Sequence, residues 1–132
     1  MSQENVEVVR HSTELWNAGD VEALRELFHP DVVLHVPEGM PEKGPFSGLD
    51  QVISQYRRLG EDFTEDHLEG TYTEAPNDCV IVRYCRTLRG DRSGIGAELR
   101  YTGTFRLRSG KIVEVRYHWD HSEALEAAGL RE

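Results

Sequence analysis

IVEVRYHWD, residues 112–120, changes chemistry at every step: Val113, Val115, Tyr117 and Trp119 share one parity, and Ile112, Glu114, Arg116, His118 and Asp120 share the other. A period of two belongs to a β-strand, whose successive side chains leave opposite faces of the sheet. The first set is expected to face a core covered by helices, the second to face outward. LRYTGTFRL, residues 99–107, splits in the same way, with Leu99, Tyr101, Gly103, Phe105 and Leu107 inward against Arg100, Thr102, Thr104 and Arg106. Further back, Val80, Val82, Tyr84, Arg86 and Leu88 alternate with Ile81, Arg83, Cys85 and Thr87. This parity puts an arginine on an apolar face, where its charge needs a carboxylate, carbonyls or water as partners.

Outward from these stretches, the pattern predicts long strands over 67–75, 79–89, 97–108 and 111–119. They are separated by turns at Pro76-Asn77-Asp78, Gly90-Asp91-Arg92-Ser93-Gly94 and Ser109-Gly110. Upstream the period is helical. Val6, Val9, Thr13 and Trp16 line one face of a helix over 4–17 that Asn17-Ala18-Gly19 ends. Asp20 is expected to cap a second short helix carrying Leu24, Leu27 and Phe28, which Pro30 stops. Val32, Leu34 and Val36 then alternate with Val33 and His35 in a short strand, and PEGMPEKGPFSG, residues 37–48, forms an irregular loop. A third helix turns Val52, Ile53, Tyr56 and Leu59 inward and closes at Gly60, and a last one over 122–128 is capped by Ser122. Helices first and strands later, without βαβ alternation, make an α+β domain whose sheet has one covered face, with residues 1–132 as a single domain.

Composition narrows the function. The chain has 24 acidic and 15 basic residues and a net charge of −9, which disfavours nucleic acid and anionic membrane surfaces as partners. MSQENVEVVR carries no apolar run of signal-peptide length, and no stretch approaches the roughly 20 apolar residues of a spanning helix. A cytoplasmic location is expected. Cys79 and Cys85 share a strand, about 20 Å apart at about 3.3 Å per residue, too far for a disulfide. Both read as small sheet residues. His118 and His121 lie on opposite strand faces, and with His35 they read as surface polar residues, not metal ligands. Gly94 and Gly96 do not complete a dinucleotide fingerprint, because Leu99 holds the third glycine's place. No cofactor is implied.

Trp16-Asn17-Ala18-Gly19-Asp20 with Glu22-Ala23-Leu24, then Leu27-Phe28-His29-Pro30-Asp31-Val32, form one set of anchors. Gly103-Thr104-Phe105-Arg106-Leu107, Gly110-Lys111-Ile112-Val113 and Asp120 with Glu123-Ala124-Leu125-Glu126-Ala127-Ala128-Gly129-Leu130 form another. With these anchors the whole chain resembles the nuclear transport factor 2-like superfamily, in particular its SnoaL-like branch, related to ketosteroid isomerase and limonene epoxide hydrolase. The resemblance implies a cone: a curved antiparallel or mixed sheet closed by the N-terminal helices around a cavity. The polar positions of the isomerase fall on Ser12, Val36 and Gly103, so its carboxylates and tyrosine are missing. Those of the epoxide hydrolase fall on Tyr117, Tyr84, Arg86, Leu34 and Val36.

The expected partner is therefore a small, apolar, oxygen-bearing ligand. Arg86, Tyr84 and Tyr117 are the candidate catalytic residues, as donors to a developing oxyanion. Trp16, Leu34, Val36, Tyr56, Tyr101, Phe105 and Trp119 are the candidate lining. Asp120 points outward by parity, and Glu38 and Glu42 read as solvated loop charges. Two readings stay open, namely acid/base chemistry such as isomerisation, cyclisation or hydration, and a non-catalytic binding or interaction module. The outer face, mixed in polarity, is expected to pair two copies as a homodimer.

Overall fold

In the computed structural model, which describes residues 2–61, 63–90 and 96–129, the chain begins with helix α1 (Ser2–Asn17). A 3-10 turn (Glu22–Glu26), strands β1 (Phe28–His35) and β2 (Phe46–Ser47), and helix α2 (Leu49–Gly60) follow. Strands β3 (Phe63–Ala75), β4 (Cys79–Gly90), β5 (Gly96–Arg108) and β6 (Lys111–His118) then lead to helix α3 (His121–Ala127). The six strands form one sheet in the order β2-β1-β6-β5-β4-β3. β1 and β6 are parallel and the other neighbours antiparallel, so the sheet is mixed, curved and not closed. This is the expected α+β cone.

Local chemistry explains the turns. α1 ends where Gly19 takes φ +76, the left-handed conformation that glycine adopts without a Cβ clash. Asn77 and Asp78 turn β3 into β4 with φ 62 and 56, and Asn and Asp are the non-glycine residues that best tolerate that region. The turn expected over residues 90–94 lies outside the described residues beyond Gly90.

Three expectations need correction. The second helix is only a 3-10 turn, and Phe28 already belongs to β1, with Pro30 inside the strand. Proline is tolerated there because β2 pairs only with Val33 and Leu34, and the β1–β6 register shifts between Phe28 and Val33. Asp20 is not the cap residue, although its carboxylate still accepts from the Ala23 N–H at 3.3 Å. At the far end, Asp120, not Ser122, caps α3: its side chain accepts from the backbone N–H groups of Ser122 and Glu123.

The third correction concerns parity. Phe105 pairs with Val115, but Leu107 pairs with Ile112, leaving Val113 as the extra residue of a β-bulge. The bulge turns Ile112 into the core, where it is fully buried, while Val113 stays half-buried. Strict alternation across 112–120 therefore holds only from Glu114 onward. The core fills the concave side, between the sheet and α1 and α2, with Val9, Val32, Leu34, Val52, Ile53, Val80, Val82 and Val115 fully buried. The outer face is partly covered as well, because α3 lies on it: His121 Nδ1 is 2.9 Å from the Thr102 hydroxyl, and Ile81, Thr102 and Ala124 are buried.

The bulge predicts unequal truncations. Ile112→Ala should cost about 2–5 kcal/mol in urea unfolding, as for a buried large-to-small change. Val113→Ala should cost less than about 1.5 kcal/mol. Equal costs would restore the simple alternation.

Candidate functional site

The concave face does not pack completely against the helices. Between β4, β5 and β6 on one side and α1, α2 and the loop after β1 on the other lies a cavity that opens to solvent. Sequence parity placed most of its wall. Trp16, Val36, Tyr56, Tyr84, Arg86, Tyr101, Phe105, Tyr117 and Trp119 all line it, together with Ser12, Thr13, Pro37 and Met40. Leu34 does not: it is fully buried in the core behind the wall. The cavity is otherwise mostly apolar.

Rings make the wall rigid. Tyr84, Tyr101, Phe105 and Tyr117 contact one another edge-on or tilted at centroid distances of 5.3–6.5 Å, a favourable geometry for aromatic quadrupoles. Gly103 makes room for this cluster. A Cβ there would meet the rings of Phe105 and Tyr117 at 3.0 Å, so the position that an acid holds in the isomerase is here occupied by the neighbouring aromatics. At the mouth, Trp119 is half exposed and stacks edge-on with Tyr101 at 6.1 Å. Its indole N–H donates to the Glu38 carbonyl at 3.0 Å, which ties the loop after β1 to the end of β6.

Polar groups in this wall are few and paired. The Tyr56 and Tyr117 hydroxyls are 2.7 Å apart, so one donates to the other and one proton remains for a further acceptor. Burial pushes the hydroxyls of Tyr56, Tyr84 and Tyr117 far above the usual tyrosine value, and pushes Tyr101 up to about 12. The Arg86 guanidinium partly offsets the rise at Tyr101. All four are therefore neutral donors near pH 7. Arg86 itself is buried. Its Nε donates to Asp66 Oδ1 at 2.8 Å, and its Nη2 donates to Asp66 Oδ2 at 2.6 Å and to the Leu59 carbonyl at 3.0 Å. The guanidinium lies over the rings of Trp16 at 5.2 Å and Phe63 at 5.7 Å. Burial is the largest single influence and opposes its charge, but the Asp66 bonds together with the fields of Tyr101, Asp66 and Tyr117 outweigh it and hold it protonated.

Asp66 is the residue behind this pocket wall that sequence reasoning missed, because the fourth-from-last strand is expected to begin only at residue 67, whereas β3 begins at Phe63. The signal was present in the turn. Counting outward from the Ala75–Cys79 pair across Pro76-Asn77-Asp78 puts Leu68 opposite Arg86, and Asp66 two residues further on the same face. Asp66 Oδ1 also accepts from the Trp16 indole N–H at 3.1 Å, so one carboxylate orients both the arginine and the tryptophan. Gly60 allows that approach, since a Cβ there would come within 3.1 Å of the Trp16 ring.

The remaining candidates are committed elsewhere. Asp120 caps α3, Glu42 pairs with Arg58 at 2.8 Å, and the Glu38 side chain is exposed. Among the described residues no acidic or histidine side chain lines the cavity, no cluster of three or more His, Cys, Asp or Glu could hold a metal ion, and no helix is long and apolar enough to cross a membrane.

A curved mixed sheet, helices packed into its concavity and an aromatic pocket between them define the class of small α+β cone proteins with an internal site. Within it, residues 9–115 match the SnoaL-like domain, and the chain belongs to that family. An uncharacterised PhzA/B-like protein of Pseudomonas aeruginosa is 30% identical over 125 residues, 93% of this chain and 89% of its own. Among solved structures, a nuclear transport factor 2-like protein of unknown function from Burkholderia pseudomallei superposes with a TM-score of 0.78 at 25% identity, covering 95% of this chain and 97% of that one. TerC, co-crystallised with polyporic acid, gives a TM-score of 0.77 at 22% identity with the same coverages, a likeness of fold.

Tyrosines held neutral by burial predict an alkaline signature. At pH 10, where a free tyrosine is half ionised, the native protein should show far less than half of its full tyrosinate absorbance at 295 nm. The sign for stability follows. The unfolded chain releases these protons near pH 10 and the folded chain only higher, so stability is fully present below pH 10 and falls as pH rises toward about 12 for Tyr101. Half-ionisation at pH 10 in the folded state would contradict a buried aromatic wall.

Proposed function

We propose that the cone binds a flat, apolar, oxygen-bearing small molecule, stacking it among the aromatic rings and meeting its oxygen with the hydroxyls of Tyr84 and Tyr117 and the Arg86 guanidinium. The observation that carries this reading is a mostly apolar, ring-lined cavity whose few polar groups include the Tyr56–Tyr117 hydroxyl pair and Arg86.

If the ligand is turned over, Arg86, Tyr84 and Tyr117 stabilise negative charge developing on a carbonyl oxygen, as preorganised donors do in a water-poor site. A general base would have to come from the ligand or from water, because no free carboxylate or imidazole of the described residues faces the cavity. That shortage favours a second reading beside the first, in which the same residues hold the ligand without transforming it. Recovery of the bound molecule unchanged after prolonged incubation supports the binder, and its conversion supports the enzyme. The outer-face homodimer is part of the proposal; the strip beside α3 carries Arg83, Arg100, Arg106 and Arg116 with Glu114.

Isothermal titration with a panel of planar naphthols and naphthyl ketones tests the reading. Tyr117→Phe removes one hydroxyl of the pair and should weaken binding about 5- to 50-fold, the range of one buried hydrogen bond, while leaving the rings in place. An affinity unchanged in this variant would remove Tyr117 from the site. Sedimentation should give twice the mass of one chain, and a monomer at micromolar concentration would remove the dimer.

A further inference from the structure

Among the described residues, Arg86 is the one charged side chain that lines the cone, and it is not an isolated charge. Asp66 lies behind it, outside the lining, and covers its Nε–Nη2 edge at 2.8 and 2.6 Å. The pair is nearly dry, with side-chain exposures of 10% and 13%. Unit charges this close, shielded from water, present the cavity with a dipole and almost no net charge. The Nη1 group takes no part in the Asp66 and Leu59 bonds, and the Tyr101 hydroxyl, which Arg86 also hydrogen-bonds, is neutral. Among the described residues of the same hairpin, Glu65 and Arg89 form an exposed pair of opposite charges 3.5 Å apart.

A carbonyl or phenol oxygen can use these donors at little desolvation cost. A carboxylate would leave its hydration shell for a site with no net positive charge to compensate it. We infer that Asp66 sets the charge selectivity of the cone: by neutralising Arg86 it makes the site take neutral carbonyl- or hydroxyl-bearing aromatic molecules and turn away their carboxylate counterparts. The inference rests on the cone being a small-molecule site, as proposed above. Asp66 acts here through Arg86, as a positioning residue that also cancels charge.

The probes are 2-naphthamide and 2-naphthoate, planar isosteres that differ in charge at pH 7.5, titrated calorimetrically into the wild-type protein, Asp66→Asn and Glu65→Gln. The wild type should bind the amide at least about tenfold more tightly than the carboxylate. Asp66→Asn, near-isosteric but uncharged, should move that ratio by about tenfold or more toward naphthoate, the scale expected of an uncompensated charge a few Å away in a partly buried site. Glu65→Gln removes the same unit of charge from an exposed position of β3 outside the cone and should keep the wild-type ratio, a result that a general loss of negative charge would not give. Preference of the wild type for naphthoate, or a ratio unchanged in Asp66→Asn, would overturn the inference; the wild-type ratio decides even if the variant does not fold. Binding of neither probe would overturn the small-molecule reading of the cone, and this inference with it.

Discussion

A guanidinium on the concave face of a sheet must find a partner there, and the pairing of Arg86 with Asp66 organises the mouth of this cone. The carboxylate belongs to β3 and the guanidinium to β4, and the same two groups reach the Trp16 indole on α1 and the Leu59 carbonyl near the end of α2. Four elements thus converge on one ion pair. Removing either partner of such a buried pair costs about 3–5 kcal/mol, because the other charge stays behind uncompensated. The pair therefore ties α1 and the end of α2 to β3 and β4 beside the cavity.

Shape comes from the sheet's irregularities. The bulge at Val113 lets Ile112 and Val115 both enter the core, and the absent side chain of Gly103 lets Tyr117 and Phe105 close over β5. These two features convert an ordinary antiparallel pair into the curved wall of a pocket. The tyrosine ladder then takes the place that carboxylates hold in the family members to which the sequence was compared. Its hydroxyls stay neutral at physiological pH, because burial raises each of them above the usual tyrosine value.

Much of this was legible in the sequence. Alternation in 79–89 and 99–107 identified the inner face and put Tyr84, Arg86, Tyr101 and Phe105 on it, because a paired strand without bulges preserves parity. The readings that missed did so for local reasons. A single bulge inverted Ile112 and Val113, and a period of two carries no mark of where an extra residue sits. Leu34 shares the parity of Val36 but lies deeper, and depth along a strand is set by the helix packed over it. Asp66 was hidden by a strand begun too late, although Arg86 on an apolar face already called for an acid. Asp120 and Ser122 both suit an N-cap, and only the backbone geometry chose between them.

The account reduces to a claim about one place: the cone is open, and its oxygen-seeking donors face inward. A crystal structure of the protein soaked with 2-naphthamide tests this most directly. The account predicts a ring stacked among Tyr84, Tyr101 and Tyr117, with the amide oxygen about 2.7–3.2 Å from Arg86 or a tyrosine hydroxyl. A cone filled by its own side chains, or a probe bound only on the outer face, would contradict it.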